Sequence, residues 1–475
     1  MSGNIVEDSK SLAKSYDAIN LPTGSFFTGG IIDRDRNNKS LNLNYRHRLD
    51  TTGSTLVIDL DYARFNALDL QQYLTNYFDA SGVTNKNDYA LLGDLGGLLS
   101  IKSFKADYTK NLSATGIKLE TGIKGSWVNS DNDIKFFDRS NGGDVLDLDK
   151  SNRFLYKENI NAAYLNLSKS WKKLNFQLGL RLENTNTKGV QKYSKAKLDR
   201  QYTQLFPSGY VGYTFNAQHE LGLSVSRRIN RPSYRQLNPF KEFLDPLTSS
   251  EGNPNLNPEL SNSFELTHTL HQKYMIKVGY SLTKGSILDI LSPDVLPNSV
   301  IQKERNLGRY DYYDLSLSLP FKVGKWLSNH TNIITYYGKY SGELLGSNVN
   351  LSRITYNINT SNNIKVAKNT NLEIRGQYQS KSYYGVLDIS SNWSVDVGAS
   401  QQFWNKRASI KLNFSDIFLT SPIKAHTLIN GYEEFFNQKR DSRVGSVTFS
   451  YRFGGSKESA PKRSSGADEE KRRAG

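Results

Sequence analysis

The stretch Glu220-Leu-Gly-Leu-Ser-Val-Ser226 sets Leu221, Leu223 and Val225 against Gly222, Ser224 and Ser226, which is the two-residue period of a strand with one apolar face. A strand with Val211, Tyr213 and Phe215 on one face precedes it, and only Asn216-Ala-Gln-His219 separates the two, enough for a tight hairpin. Beyond Ile229 lie Pro232, Pro239, Pro246, Pro254 and Pro258, five of the chain's twelve prolines. Proline has no N–H to give a ladder, so about thirty residues here read as a loop. Two more strands follow, one with Phe264, Leu266 and Leu270, the next with Tyr274, Ile276, Val278, Tyr280 and Leu282, joined through His271-Gln-Lys273. The order is short turn, long loop, short turn.

The same order extends both ways. Leu41, Leu43 and Tyr45 face Leu56, Ile58, Leu60 and Tyr62 across a turn at Asp50-Thr-Thr-Gly53. Ile117, Leu119, Ile123 and Trp127, then Phe176, Leu178, Leu180 and Leu182, repeat the alternation, and Val447, Phe449, Tyr451 and Phe453 close it. Long polar connections are expected near 66–99, 129–152, 187–204, 230–258, 286–299 and 341–350. About seventeen strands of roughly 9 to 13 residues result, near the ≈ 9–11 tilted residues that cross a bilayer and well above the five or six of soluble strands. Short turns at one end and long loops at the other are the marks of short periplasmic turns and longer extracellular loops. The reading is all-β: an antiparallel transmembrane β-barrel over 39–454. A polar segment of loop and partial strand is expected over 1–38, and a disordered, mixed-charge periplasmic tail over 455–475.

Composition agrees with a wall that is oily on one side and wet on the other. The 475 residues hold 28 Tyr and 22 Phe but no Cys, which excludes disulfides and thiolate chemistry. Mean hydropathy is only −0.58, as a polar lumen and polar loops allow. The +15 charge is spread along strands beside acids, as in Lys118-Leu-Glu120, and reads as solvated or lumen-lining charge rather than a nucleic-acid surface. Met1 is followed by Ser-Gly-Asn-Ile-Val-Glu-Asp, without the basic start and apolar core of a signal peptide.

Leu41-Asn-Leu-Asn-Tyr-Arg-His-Arg-Leu-Asp50, Phe154-Leu-Tyr-Lys-Glu-Asn-Ile160, Leu178-Gly-Leu-Arg-Leu-Glu183, Ser226-Arg-Arg-Ile-Asn-Arg-Pro-Ser-Tyr234 and Glu251-Gly-Asn-Pro-Asn-Leu256, taken in this order, resemble the β-barrel of a TonB-dependent outer-membrane receptor. The likeness is closest to the group with an N-terminal carboxypeptidase-regulatory-like domain. Ser415-Asp-Ile-Phe418 is expected within the penultimate strand, where such receptors often carry a similar stretch. The resemblance implies the outer membrane of a Gram-negative bacterium and uptake of a scarce or bulky solute of unknown identity. Its partners would be outer-membrane lipid, the barrel assembly machinery, and the TonB complex acting through a plug that this chain lacks. Such receptors have 22 strands, so 17 or 18 here would be roughly the C-terminal three-quarters of one, with two unpaired edges. The alternative is a plugless, porin-like channel or a surface adhesin on a membrane barrel.

No enzyme pattern, cofactor site or metal site stands out. His268 and His271 are three apart and fall on opposite faces of a strand. The proline-rich loop is the candidate ligand contact, because function concentrates on loops. Its Arg228, Arg231, Tyr234 and Arg235 would suit an anionic or carbohydrate ligand. Val447, Phe449, Tyr451 and Phe453 resemble the C-terminal strand by which such barrels are recognised for insertion. Glycines 122, 179, 212, 222 and 279 are read as permitting curvature or close packing against lumen contents.

Overall fold

The computed structural model describes residues 2–16, 22–193, 195–293, 299–429, 432–453 and 465–474. Twenty strands form the larger sheet, two of which, Lys241–Asp245 and Thr248–Glu251, are a small hairpin clipped in parallel to residues 300–303. The other eighteen run as one antiparallel meander, each paired with its neighbours in the wall, from Ser2–Tyr16 to Gly445–Tyr451. No pairing among the described residues joins those two end strands, so the wall keeps two open edges.

Side-chain direction decides what the wall is for. The alternating apolar residues point outward and stay exposed: Leu41 is 69% accessible, Leu178 56% and Phe449 60%. The opposite face carries polar ladders. Asn42 donates to Asp61 (2.9 Å), Ser103 to Asp61 (3.0 Å), Tyr164 to Asp107 (2.7 Å) and Asn329 to Asn362 (2.8 Å). A sheet that is oily outside and wet inside has no driving force in water and a strong one in lipid. Trp393 and Trp404, exposed at either end of the strand Asn392–Phe403, stand about eleven residues apart. At ~3.3 Å per residue and ~45° tilt this is about 25 Å, the height of the apolar band of an outer-membrane barrel.

The expected long loops are largely strand. Residues 66–79 and 89–99 belong to Thr55–Asp79 and Tyr89–Leu112, and residues 129–138 and 145–152 to Ile117–Asp138 and Val145–Trp171. Residues 187–191, 197–204 and 286–293 are likewise ladder. Leu345-Gly346, both at positive φ, turn the chain in two residues where a long loop over 341–350 is expected. Above the lipid the backbone ladder continues while the outer face loses its apolar requirement, so alternation fades without the strand ending. Residues 1–38 differ for the same reason: Ser2–Tyr16 pairs with Pro22–Arg48 from Ser2↔Asn37 to Tyr16↔Pro22. Among the described residues the wall therefore has eighteen strands, where 17 or 18 were expected.

Three expectations on smaller segments are also corrected. Ser415–Phe418 lies just past the strand Ala408–Phe414, where the Asp416 carboxylate gathers Thr420, Ser421 and Ser442 into a turn. Gly212 and Gly222, cross-strand partners, leave room for the Tyr210 ring rather than for lumen contents. The tail expected to be disordered holds a helix, Asp468–Ala474, with Glu470 and Arg473 buried. Acids in its first turn and bases in its last oppose the helix dipole, and ion pairs to the lumen wall supply what seven residues lack alone. Residues 454–464 and 475 lie outside the described residues.

Candidate functional site in the lumen

The proline-rich segment between Asn230 and Glu259 folds into the barrel mouth. Tyr234, Leu237, Phe240 and Leu256 pack on lumen-facing Leu95, Ile101, Phe136, Phe154 and Tyr156. This is the larger of two apolar clusters among the described residues, the other gathering Leu288, Ile290, Leu307 and Tyr340. Glycine at 252 lets the loop close on itself: a Cβ there would meet the carbonyl oxygens of Asn238 at 2.2 Å and of Arg235 and Gln236 at 2.8 Å. Beside it the Asn253 N–H donates to the Gln236 carbonyl (2.6 Å), and Nδ2 of Asn253 to the Glu304 carbonyl (3.0 Å). Glu251-Gly-Asn-Pro-Asn-Leu256 is thus the clamp that seats the loop.

The four candidate residues of this loop do not converge on one site: two share a recess and the others lie apart. Arg231 is buried and donates to Glu183 (2.6 Å), Thr185 (3.1 Å) and Glu469 (2.9 Å). Tyr234 is buried, its hydroxyl donating to Glu158 (3.2 Å) and its ring lying 4.4 Å from the Arg473 guanidinium. Arg228 and Arg231 share a smaller recess with Arg181, Glu183 and Arg472. Arg235 reaches a different, larger cleft, of about 460 Å³, together with Phe240, Glu242, Glu251, Asp289 and Glu304.

Four carboxylates against one guanidinium reverse the expected electrostatics. The cleft suits cationic or hydrogen-bond-donating groups better than anions. Burial pushes the Asp289 and Glu304 carboxyls upward, with Gln302 opposing it at Asp289, so both would gain from a cation or donor brought beside them. Lys303 already meets Glu251 at 2.9 Å. These acids come from a loop and two strands far apart in sequence, and no local motif marks them. His268 meets His219, ring nitrogens 3.2 Å apart, rather than His271. Among the described residues no three His, Asp or Glu gather as metal ligands.

Val447 and Phe449 stand on the outer face of the last strand, in register with outward Leu412 and Ile410. Tyr451 packs edge-on to Trp404 at 5.9 Å.

Solved structures share this architecture at low identity. The ferric citrate transporter FecA, unliganded, aligns with a TM-score of 0.61 at 11% identity over 95% of this chain and 70% of its own. The pyoverdine outer membrane receptor FpvA of Pseudomonas aeruginosa PAO1, bound to pyoverdine, aligns at 0.60 and 11%, over 95% and 72%. The ferric yersiniabactin uptake receptor FyuA of Yersinia pestis aligns at 0.55 and 11%, over 95% and 79%. These likenesses are of fold. No curated protein matches the chain. The family model described as the outer membrane protein beta-barrel family matches residues 47–451, which takes in the wall from the end of Pro22–Arg48 to its last strand. An oily exterior, a wet interior and this match place the chain in the outer membrane protein beta-barrel family, and its wall in the outer membrane.

Proposed function

We propose that the chain forms the barrel of a TonB-dependent receptor that takes up a scarce or bulky solute across the outer membrane. The observation that carries this is the lumen: a polar interior with a loop folded inward against its wall at the mouth. A loop folded into the lumen narrows the path for free diffusion, and the loop and its cleft give an arriving solute surfaces to bind. The fold neighbours are, by their names, a ferric citrate transporter, a pyoverdine receptor and a ferric yersiniabactin uptake receptor. Uptake of a comparable bulky chelate is the leading solute class. Energy would reach the barrel from the TonB complex through a plug, and insertion would proceed through the assembly machinery reading Val447, Phe449, Tyr451 and Phe453. The barrel does no covalent chemistry in this scheme.

The test is growth of a strain lacking the gene, supplied with one chelate or nutrient at a time. Loss of growth on one solute, reproduced by removing TonB and restored by the gene, is expected. Growth that depends on the gene but not on TonB would favour the porin-like channel and overturn the receptor reading. Glu242→Lys, which removes one of the four carboxylates of the cleft, is expected to raise the solute concentration needed for half-maximal growth by about tenfold, a change of about 1.4 kcal/mol.

A further inference from the structure

We propose that the lumen wall carries a recognition site for a short charged helix, that its occupant is this chain's own segment 465–474, and that the seated helix stoppers the lumen. This concerns the barrel alone and holds whichever solute the receptor takes.

The wall presents its charges in an order that the helix matches. Arg231 meets Glu469 at 2.9 Å, Lys124 meets Glu470 at 2.8 Å, Asp61 meets Lys471 at 3.4 Å, and Glu158 takes both Nη atoms of Arg473 at 2.6 and 3.0 Å. A slip of one residue either way sets like against like, Lys471 on Lys124 or Glu470 on Asp61. The backbone is read as well. The Arg473 carbonyl accepts from the Tyr234 N–H (3.1 Å), and its Nε donates to the Pro232 carbonyl (3.0 Å). Ala467, fully buried, joins the larger apolar cluster. At Gly466 a Cβ would press on Asp61 at 3.0 Å and on Ser103 and Lys105 at 3.2 Å.

Glu158 shows that the wall is built for a cation at this point. It is buried, and besides Arg473 its partners are the hydroxyls of Tyr156 and Tyr234. Without the guanidinium a carboxylate would stand desolvated against two phenols, an arrangement that strongly favours recapture of a positive group. Residues 454–464, at 3.3–3.6 Å each, can reach about 40 Å from Phe453, so the occupant is tethered at high effective concentration.

The chain has no cysteine, so one nitroxide on Arg472→Cys, an exposed helix position, reports the seat in the full chain in micelles. An immobilised spectrum is expected for the otherwise unchanged protein and a mobile one for Arg473→Glu. Adding Glu158→Arg to Arg473→Glu should restore immobilisation. Heat-modifiable gel migration shows that each variant is folded. Should the Glu158 variant fail that control, Arg473→Ala, which leaves the wall untouched, must still give the mobile spectrum. A mobile spectrum in the unchanged chain, or one equally immobile in Arg473→Glu and Arg473→Ala, overturns the recognition site. In liposome swelling, Arg473→Glu should pass small sugars at least threefold faster than the unchanged chain. Equal rates, with the helix shown to be released, overturn the stopper.

Discussion

Gly252 and Asp416 each hold one outer segment in place, by opposite means. At Gly252 the requirement is for no side chain, because three carbonyl oxygens crowd the Cβ direction. Gly252→Ala should cost about 1–3 kcal/mol locally and lift the 231–258 loop from the lumen. Trypsin cleavage at Arg235 and Lys241 should then accelerate while the barrel keeps its heat-modifiable migration. At Asp416 burial opposes ionisation, and donors from Ser421 (2.6 Å), Ser442 (2.6 Å) and the Thr420 N–H (3.0 Å) outweigh it, holding the carboxyl at about 2. A depressed carboxyl stabilises above its ordinary value of 3.8 and loses that contribution as pH falls toward 2. Trp393, packed on Phe418 at 5.7 Å, should report loosening of the 415–444 segment by a shift in emission between pH 4 and pH 2. Asp416→Ala should show the loosened emission already at pH 7. Neither role was visible in the residues themselves. Gly252 stood inside a recognisable segment, but the carbonyls that exclude a side chain come from sixteen residues of loop folding back.

The strands were legible where lipid imposes its rule and illegible above it. In Leu178–Leu182 or Val447–Phe453 one face must be oily and the other wet, and the two-residue period follows. In Ala90-Leu-Leu-Gly-Asp-Leu-Gly-Gly-Leu-Leu99 the inward residues Leu91, Leu95 and Leu99 are the buried ones, and Leu92 and Leu98 blur the outer face. The period vanishes although Tyr89–Leu112 is one unbroken strand. The helix at 468–474 was hidden for a related reason: its charges look like those of a solvated tail, and only the folded wall shows partners for Glu469, Glu470, Lys471 and Arg473. The lipid rule also gives a direct test. Phe449→Lys on the outer face should destabilise the barrel by about 2–4 kcal/mol if it sits near the bilayer midplane. The shift would be measured as a lower denaturant midpoint for folding into vesicles. Lys at Ser450, on the opposite face, should cost much less.

Across the whole molecule, the eighteen strands form a wall whose two edges are unpaired. Backbone groups left bare in hydrocarbon cost several kcal/mol each, so within lipid the edges must find each other or another strand. Beyond the lipid that constraint disappears, and the outer turns should accept foreign sequence. A peptide epitope inserted at Gly82 or Gly142, where an added Cβ meets open space, should leave folding unchanged and bind its antibody on intact cells. The same insertion at the two-residue turn after Trp171 should stay silent on intact cells and become reactive only after the outer membrane is breached.

The strands Pro22–Arg48 and Val145–Trp171 each run 27 residues, about 60 Å of height at ~45° tilt, of which only about 25 Å is needed for lipid. More than half of such a palisade stands in the sugar coat of the cell, so an approaching phage fibre or immunoglobulin would touch protein well before it touched fat.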